Sequence, residues 1–146
     1  GVVRSIGVSD YNISNLQATL EIAKEPIDVH QVDWNPRKHD EAMLEFCQKH
    51  NIQLQAWSPL GGAAHSVLSE PVVKSTAAAH NVSVAQVVLK WALQRGVAVV
   101  VGTANPEHGR NDLDVFRFNL TSDEVAAISA LGGRRRQAGS SSSVHV

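Results

Sequence analysis

The 146-residue sequence holds one cysteine, one methionine and one tyrosine, and aromatic residues make up only 5% of it. A lone Cys47 excludes an internal disulfide framework and the commoner cysteine-based zinc patterns. No charge of either sign dominates: 13 Lys and Arg face 14 Asp and Glu, a formal net charge of -1. Such a balance gives no general attraction to nucleic acid or to an anionic membrane surface. The one basic run, Arg134-Arg135-Arg136, is confined to the end of the chain. Long hydrophobic runs are missing too, and none approaches the roughly 20 residues a membrane helix requires. The amino end, Gly1 to Ser9, lacks both an initiator Met and a signal-peptide layout. It reads as a chain that begins in mid-fold, with the cytoplasm as its expected location.

What is present is a regular alternation of short apolar runs and helical periods. Val2 to Val8 is a β-branched run closed by Ser9-Asp10, the pattern of a strand. Ile13, Leu16, Leu20 and Ala23 then recur at helical spacing until Pro26. Ile27 to Val32 predicts a second strand, followed by the turn Asn35-Pro36. Between Asp40 and His50, Met43, Leu44, Phe46 and Cys47 form the apolar stripe of a helix. Ile52 to Ala56 predicts a third strand, running into Trp57-Ser58-Pro59-Leu60-Gly61-Gly62. A helix over Glu70 to His80 follows a longer connection. The next helix opens on the capping box Ser83-Val84-Ala85-Gln86 and stops at Gly96. Val97 to Val101, apolar at every position, predicts a strand buried on both faces.

Asn105-Pro106 places a capping residue before a first-turn proline, and Thr121-Ser122-Asp123-Glu124 is a second capping box. It opens a last helix through Val125, Ile128 and Leu131. Past Gly132-Gly133, residues 134–146 read as a disordered Arg- and Ser-rich tail. Four strand-then-helix units in residues 1–133 mean an α/β fold with parallel strands. Either a small doubly wound sheet or part of a (β/α)₈ barrel satisfies the pattern. Because such a barrel typically needs about 250 residues, four units amount to half of one.

In parallel α/β folds ligands bind at the carboxyl ends of the strands. Here those ends carry Ser9-Asp10, Gln31 to Asn35, Trp57 to Gly61, and Gly102 to Asn105. Ser9 and Gln31 can bond a flat carboxamide, and Trp57 offers a stacking face. Ser58 and Gly61-Gly62 let backbone N–H groups approach phosphate, and Asn105 opens a helix whose first amides favour an anion. A dinucleotide with nicotinamide at one end would suit that row. Each residue also has a plainer reading: Ser9 and Asn105 as caps, Gln31 as a structural hydrogen-bonding group, Trp57 and Trp91 as core. Cys47 reads as a small core residue, and the seven histidines, without metal-ligand spacing, as mostly solvated. Tyr11 begins a helix, and the lysines at 24, 38, 49, 74 and 90 fall on or beside helices, away from the ligand end. By position alone the chain holds a binding surface without a Lys–Tyr–Asp catalytic set.

Four motifs, Ile6-Gly7-Val8-Ser9-Asp10-Tyr11, Gln31-Val32-Asp33-Trp34-Asn35-Pro36, Trp57-Ser58-Pro59-Leu60-Gly61 and Gly102-Thr103-Ala104-Asn105-Pro106-Glu107, occur in one order. Together they resemble the aldo-keto reductase superfamily, across nearly the whole chain to about Leu131. The resemblance implies the second half, strands five to eight, of a (β/α)₈ barrel. That barrel uses NADPH, less often NADH, to reduce aldehydes and ketones to alcohols. It implies that Ser9, Asp10 and Gln31 meet the nicotinamide carboxamide, that Trp57 stacks on the ring, and that Ser58, Leu60 and Gly61 follow the pyrophosphate. Thr103 falls in the segment holding the adenosine 2′-phosphate, and Asn111 and Asp112 in the adenine-contacting pair. Three departures stand out. Asp10 replaces the usual Asn and keeps an acceptor without the amide donor. Gly102 and His108 stand where many members carry Lys and Arg. Both changes lower the expected preference for NADPH over NADH, with Arg110 near enough to compensate.

The family's Asp, Tyr, Lys and His tetrad comes from the first half of its barrel and has no counterpart here. The resemblance therefore implies a cofactor-binding part that is inactive alone, its partner a small carbonyl substrate in the intact protein. The alternative is a non-catalytic half barrel that binds or regulates and self-associates through its open sheet edges. A doubly wound nucleotide-binding domain would need a Gly-rich phosphate loop after the first strand, and Gly7-Val8-Ser9-Asp10 supplies none.

Overall fold

A computed structural model describes residues 1–62 and 67–138, with side chains through residue 132. Four strands, β1 (Gly7–Ser9), β2 (Val29–Asp33), β3 (Gln53–Trp57) and β4 (Ala98–Val99), form one sheet in the order β1-β2-β3-β4. Every neighbouring pair is parallel, so all four carboxyl ends open at the same end of the sheet. Helices α1 (Ile13–Ile22), α2 (Glu41–Lys49), α3 (Pro71–His80), α4 (Val84–Gln94), α5 (Pro106–Leu113) and α6 (Ser122–Ala138) fill the connections and the carboxyl-terminal segment. The expected α/β fold of parallel strands is therefore present. No helix among the described residues is long and apolar enough to cross a membrane.

Strand side chains alternate between faces, and here one face is apolar. His30 pairs with Leu54 in the ladder, and Val32 with Ala56. His30, Leu54 and Ala56 are each at most 1% exposed. Under them lie Leu16 of α1, Leu44 and Cys47 of α2, and Val88 and Trp91 of α4. The other face carries Ser9, Gln31, Gln53, Gln55 and Trp57, none of them buried. There Gln31 Nε2 donates to Gln55 Oε1 at 2.6 Å. A parallel sheet is normally covered on both faces. Among the described residues, the helices line only the apolar one.

At the margin of the core Trp34 and Trp91 stack with centroids 6.4 Å apart, and the Arg95 guanidinium lies over both rings. Glu41 pairs with that guanidinium, joining the start of α2 to the end of α4. Cys47 is the core residue the sequence suggests, 0% exposed, and burial pushes its thiol up to about 11.

The helix starts follow their sequence signatures. Ser83 N–H donates to Gln86 Oε1 at 2.8 Å while Gln86 N–H donates to Ser83 Oγ at 3.1 Å. Thr121 N–H donates to Glu124 Oε2 at 2.8 Å and Glu124 N–H to Thr121 Oγ1 at 3.2 Å. Asn105 caps α5 ahead of Pro106, and Gly96 ends α4 with φ +76.

The strand limits differ from the sequence reading. Of Val2 to Val8 only Gly7 and Val8 lie in β1, and Val2 and Val3 are 103% and 70% exposed. Of Val97 to Val101 only Ala98 and Val99 are strand, with Val100 and Val101 at 44% and 37%. Neither run is buried on both faces, because β1 and β4 are edge strands that each pair with one neighbour among the described residues. Carbonyl and amide groups on the outer side have no ladder to continue, and regular pairing stops early. The helix end also differs. Instead of stopping at Gly132-Gly133, α6 continues to Ala138, so residues 134–138 are helical, and 139–146 lie outside the described residues. Packing explains the Gly at this position: a Cβ on Gly132 would lie 2.6 Å from His39 Cε1. A helix-weakening residue is the one that fits against that ring.

Two outcomes follow from this core. At mildly alkaline pH a thiol reagent should modify Cys47 on the order of a hundredfold more slowly in the folded chain than in urea. The second concerns acid. Hydrogen bonds from Thr121 hold the Glu124 carboxyl below its ordinary value, and His80 reinforces them at 2.9 Å. A depressed carboxylate contributes stability above its unfolded value, which is lost as pH falls through the lower folded value. Glu124→Gln should therefore cost about 0.5 kcal/mol near neutrality and progressively less in acid, as read from urea unfolding at a series of pH values.

Candidate functional site

The parallel register brings three strand ends together. Ser9 closes β1 opposite Gln31, and its Oγ donates to the Gln31 carbonyl at 3.1 Å. Asp10 N–H donates to the same oxygen at 2.9 Å, with Asp10 in a left-handed turn at φ +54. Gln31 donates one amide N–H to Gln55, which leaves its Oε1 and second N–H free for another partner. Trp57 closes β3 opposite Asp33 and is 36% exposed. Its Nε1–H donates to Asp10 Oδ1 at 3.3 Å, reaching across β2 to the end of β1. Ser9, Asp10, Gln31 and Trp57 thus form one patch.

Ser58, Leu60 and Gly61 continue from Trp57 in a turn closed by Gly61 N–H donating to the Ser58 carbonyl at 2.8 Å. Ser58 and Gly61 both have positive φ, 50 and 84. Thr103 and the α5 residues stand apart from this patch. Thr103 Oγ1 accepts from Asn105 N–H at 3.1 Å, and His108 is exposed. The carbonyl of Asn111 accepts from Gln86 Nε2 at 2.7 Å, while Asp112 is half-buried on the same helix. Asn111 also borders a recess of about 590 Å³ with His80, Gln86 and Phe118. Among the described residues no hydrogen bond or ion pair links Thr103, His108, Asn111 or Asp112 to the Trp57 patch.

Beside the patch, at the ends of β1 and β2, a cleft of about 820 Å³ is lined by Asp10, Tyr11, Asp33, Trp34, Lys38 and His39, among others. Two sequence expectations are corrected here. Lys38 does not lie away from the ligand end: its Nζ meets Asp33 Oδ2 at 2.7 Å. Tyr11 precedes α1 and borders the cleft instead of belonging to a helix. For Lys38 the cause is the Asn35 turn. Asn35 Oδ1 accepts from the N–H groups of Arg37 at 3.0 Å and Lys38 at 3.1 Å, folding the chain back over the end of β2. A side-chain-to-backbone turn of this kind was visible only as Asn35-Pro36. The cleft thus contains Tyr, Lys, Asp and His, but no hydrogen bond joins the Tyr11 hydroxyl to the other three.

Two of the histidines depart from the solvated reading, while His50 and His108 are exposed as expected. His30 is 0% exposed, and Tyr11 N–H donates to its Nε2 at 3.1 Å, which puts the ring proton on Nδ1, 3.9 Å from Cys47 Sγ. Burial holds its pKa below the ordinary value, against the opposing pull of Asp10. His39 is lowered by burial and then by Arg95. Both rings therefore favour the neutral form as structural groups. His65 and His145 lie outside the described residues.

A nicotinamide ring fits the patch chemically. The free Gln31 Oε1 can accept from a carboxamide N–H, and Ser9 Oγ, already donating, retains acceptor capacity. The exposed Trp57 face supplies the stacking surface. Asp10, acceptor-only, adds a charge and no donor. For phosphate, the eight-residue α5 presents first-turn amides behind Asn105.

Comparison with known proteins agrees with the fold and the motif order. The profile of the Aldo/keto reductase family matches residues 1–132. Aldose reductase B of Dictyostelium discoideum is 35% identical over 136 residues, which cover 93% of this chain and 44% of that protein. Glyoxal reductase of Bacillus subtilis is 35% identical over 136 residues, covering 93% and 49%. Among solved structures, an NADPH complex of a Gox0644 mutant superposes with a TM-score of 0.81 at 35% identity, covering 87% of this chain and 46% of that one. The aldo/keto reductase of Brucella melitensis gives 0.79 at 31%, covering 87% and 48%. The chain spans under half the length of these relatives. On this match, its residues 1–132 place the chain in the aldo/keto reductase family.

Proposed function

We propose that this chain is the cofactor-binding second half, barrel strands five to eight, of an NAD(P)H-dependent aldo/keto reductase that reduces aldehydes and ketones to alcohols. The observation that carries the reading is the parallel sheet with one bare polar face, on which Ser9, Gln31 and Trp57 stand at successive strand ends. In a closed barrel that face would turn inward, and β1 and β4 would each gain a second neighbour. Ser9 and Gln31 would hold the carboxamide, Trp57 the ring, and Ser58, Leu60 and Gly61 the pyrophosphate. Thr103, His108, Asn111 and Asp112 would meet the adenosine end. When bound, the nicotinamide supplies hydride. Protonation of the carbonyl oxygen needs a positioned acid, typically worth about 10²–10⁴-fold. In this reading the acid comes from the other half of the barrel, since Lys38 is committed to Asp33 and, among the described residues, no cation is bonded to the Tyr11 hydroxyl.

A second reading rests on the edges. Val2, Val3, Ile6, Val100 and Val101 are exposed near strand edges that have no second ladder among the described residues, a surface on which two copies could pair. Light scattering on the purified chain separates the two, a stable monomer counting against self-association.

The test of the cofactor site is isothermal titration calorimetry of the chain with NADPH and NADH. Trp57→Ala should weaken binding about tenfold, as loss of one stacked ring does. An affinity undiminished by the substitution would remove Trp57 from the site. Supplied with NADPH and an activated aldehyde, the chain alone is expected to give no turnover above background; robust oxidation of NADPH by a homogeneous sample would refute the division of labour.

A further inference from the structure

At the ends of β1 and β3 an exposed indole shares its N–H with a carboxylate. Trp57 Nε1–H donates to Asp10 Oδ1 at 3.3 Å, and 36% of Trp57 is open to solvent. The other contacts of Asp10 are neutral: Ser9 Oγ at 3.5 Å, and its own N–H on the Gln31 carbonyl. Among the described residues it has no ion pair. The cations nearby are already engaged or discharged. Lys38 is bound to Asp33, itself the ladder partner of Trp57, and Arg37 is bound to Glu70. Behind Asp10, His30 is buried and accepts from Tyr11 N–H at Nε2, the arrangement of a neutral ring.

The chemistry of such a pair points to one class of ligand. An aromatic face attracts a cation through its quadrupole, and a carboxylate accepting the indole N–H pushes electron density into the ring. The carboxylate adds its own charge beside whatever stacks there. A neutral Asn at position 10 would accept the same hydrogen bond and supply neither effect. We propose that Asp10 and Trp57 together recognise a planar organic cation, so that this site binds a positively charged pyridinium ring in preference to its neutral counterpart. Where the nicotinamide reading holds, on which this last step rests, the oxidised cofactor is favoured over the reduced one and Asp10 is the residue that sets the difference.

The experiment uses two small probes of nearly one shape, nicotinamide and the N-methylnicotinamide cation. Quenching reports on Trp57 alone, because Trp34 and Trp91 are 1% and 0% exposed. In the native chain the cation should bind about two- to fivefold more tightly than the neutral ring, and added salt should narrow the gap. Asp10→Asn should abolish the preference for the cation. Asn tolerates the left-handed backbone at this position, so the variant keeps the fold, as circular dichroism checks. Equal affinities in the native chain, or a preference that survives Asp10→Asn, would overturn the proposal. A parallel titration with NADP⁺ and NADPH separates the two levels. Cation preference with no binding of either dinucleotide supports the pair and sinks the cofactor reading. Equal binding of both dinucleotides keeps the cofactor reading and removes Asp10 as its discriminator.

Discussion

The parallel register of β1, β2 and β3 is the constraint on which the rest depends. It places Ser9 beside Gln31 and Gln31 beside Gln55, while Asp33 stands against Trp57. Since all strands run the same way, residues 22 to 47 positions apart in sequence end on one rim. A slip of one residue would turn His30, Leu54 and Ala56 outward and bury the glutamines. The apolar face prevents it: three side chains at most 1% exposed, packed on residues of α1, α2 and α4, fix the register from below. The polar face inherits its geometry from a core on the opposite side of the sheet.

The two faces also answer different demands. On the helix side the strands need apolar residues, and β2 and β3 supply them at alternate positions. On the other side, Gln31 Nε2 donates to Gln55 Oε1 at 2.6 Å, and Gln53 Nε2 donates to the Gly96 carbonyl at 2.9 Å. Amides in this role tolerate either water or a closed interior, provided their bonds persist. That chemistry is compatible with a sheet whose polar face is enclosed by further strands. It also explains why the edges, and not the middle, carry the exposed valines.

Much of this was legible in the order of residues. Capping boxes at Ser83 and Thr121 are local, needing only four consecutive residues, and both formed as written. The alternation of strand and helix is likewise a local signal, and it identified the rim on which Ser9, Gln31 and Trp57 stand. The errors arose where a distant partner decides. Val97 to Val101 reads as doubly buried because an apolar run shows that cover is wanted, never what supplies it. His39 reads as a solvated helix-flanking residue, yet its ring is buried against Trp34, Trp91 and Gly132 from three separate elements. Lys38 reads as lying away from the ligand end, yet Asn35 reverses the chain by a side-chain bond that leaves only a faint sequence trace.

Position 10 shows how a local departure can carry chemistry that a motif match would blur. The surrounding motif fixes a left-handed turn at the end of β1, which Asp and Asn adopt with similar ease. Backbone geometry therefore places little pressure on the choice between them. The difference lies in the donor lost and the charge gained, and both act on the same neighbour, the Trp57 ring. Because the nearby cations are spent on Asp33, Glu70 and Glu41, that charge is left for a ligand to meet. Fold and register thus bring Ser9, Asp10, Gln31 and Trp57 to one rim, and under the proposal above it is the side chain at position 10 that sets which electrostatic state of a stacked ring is favoured.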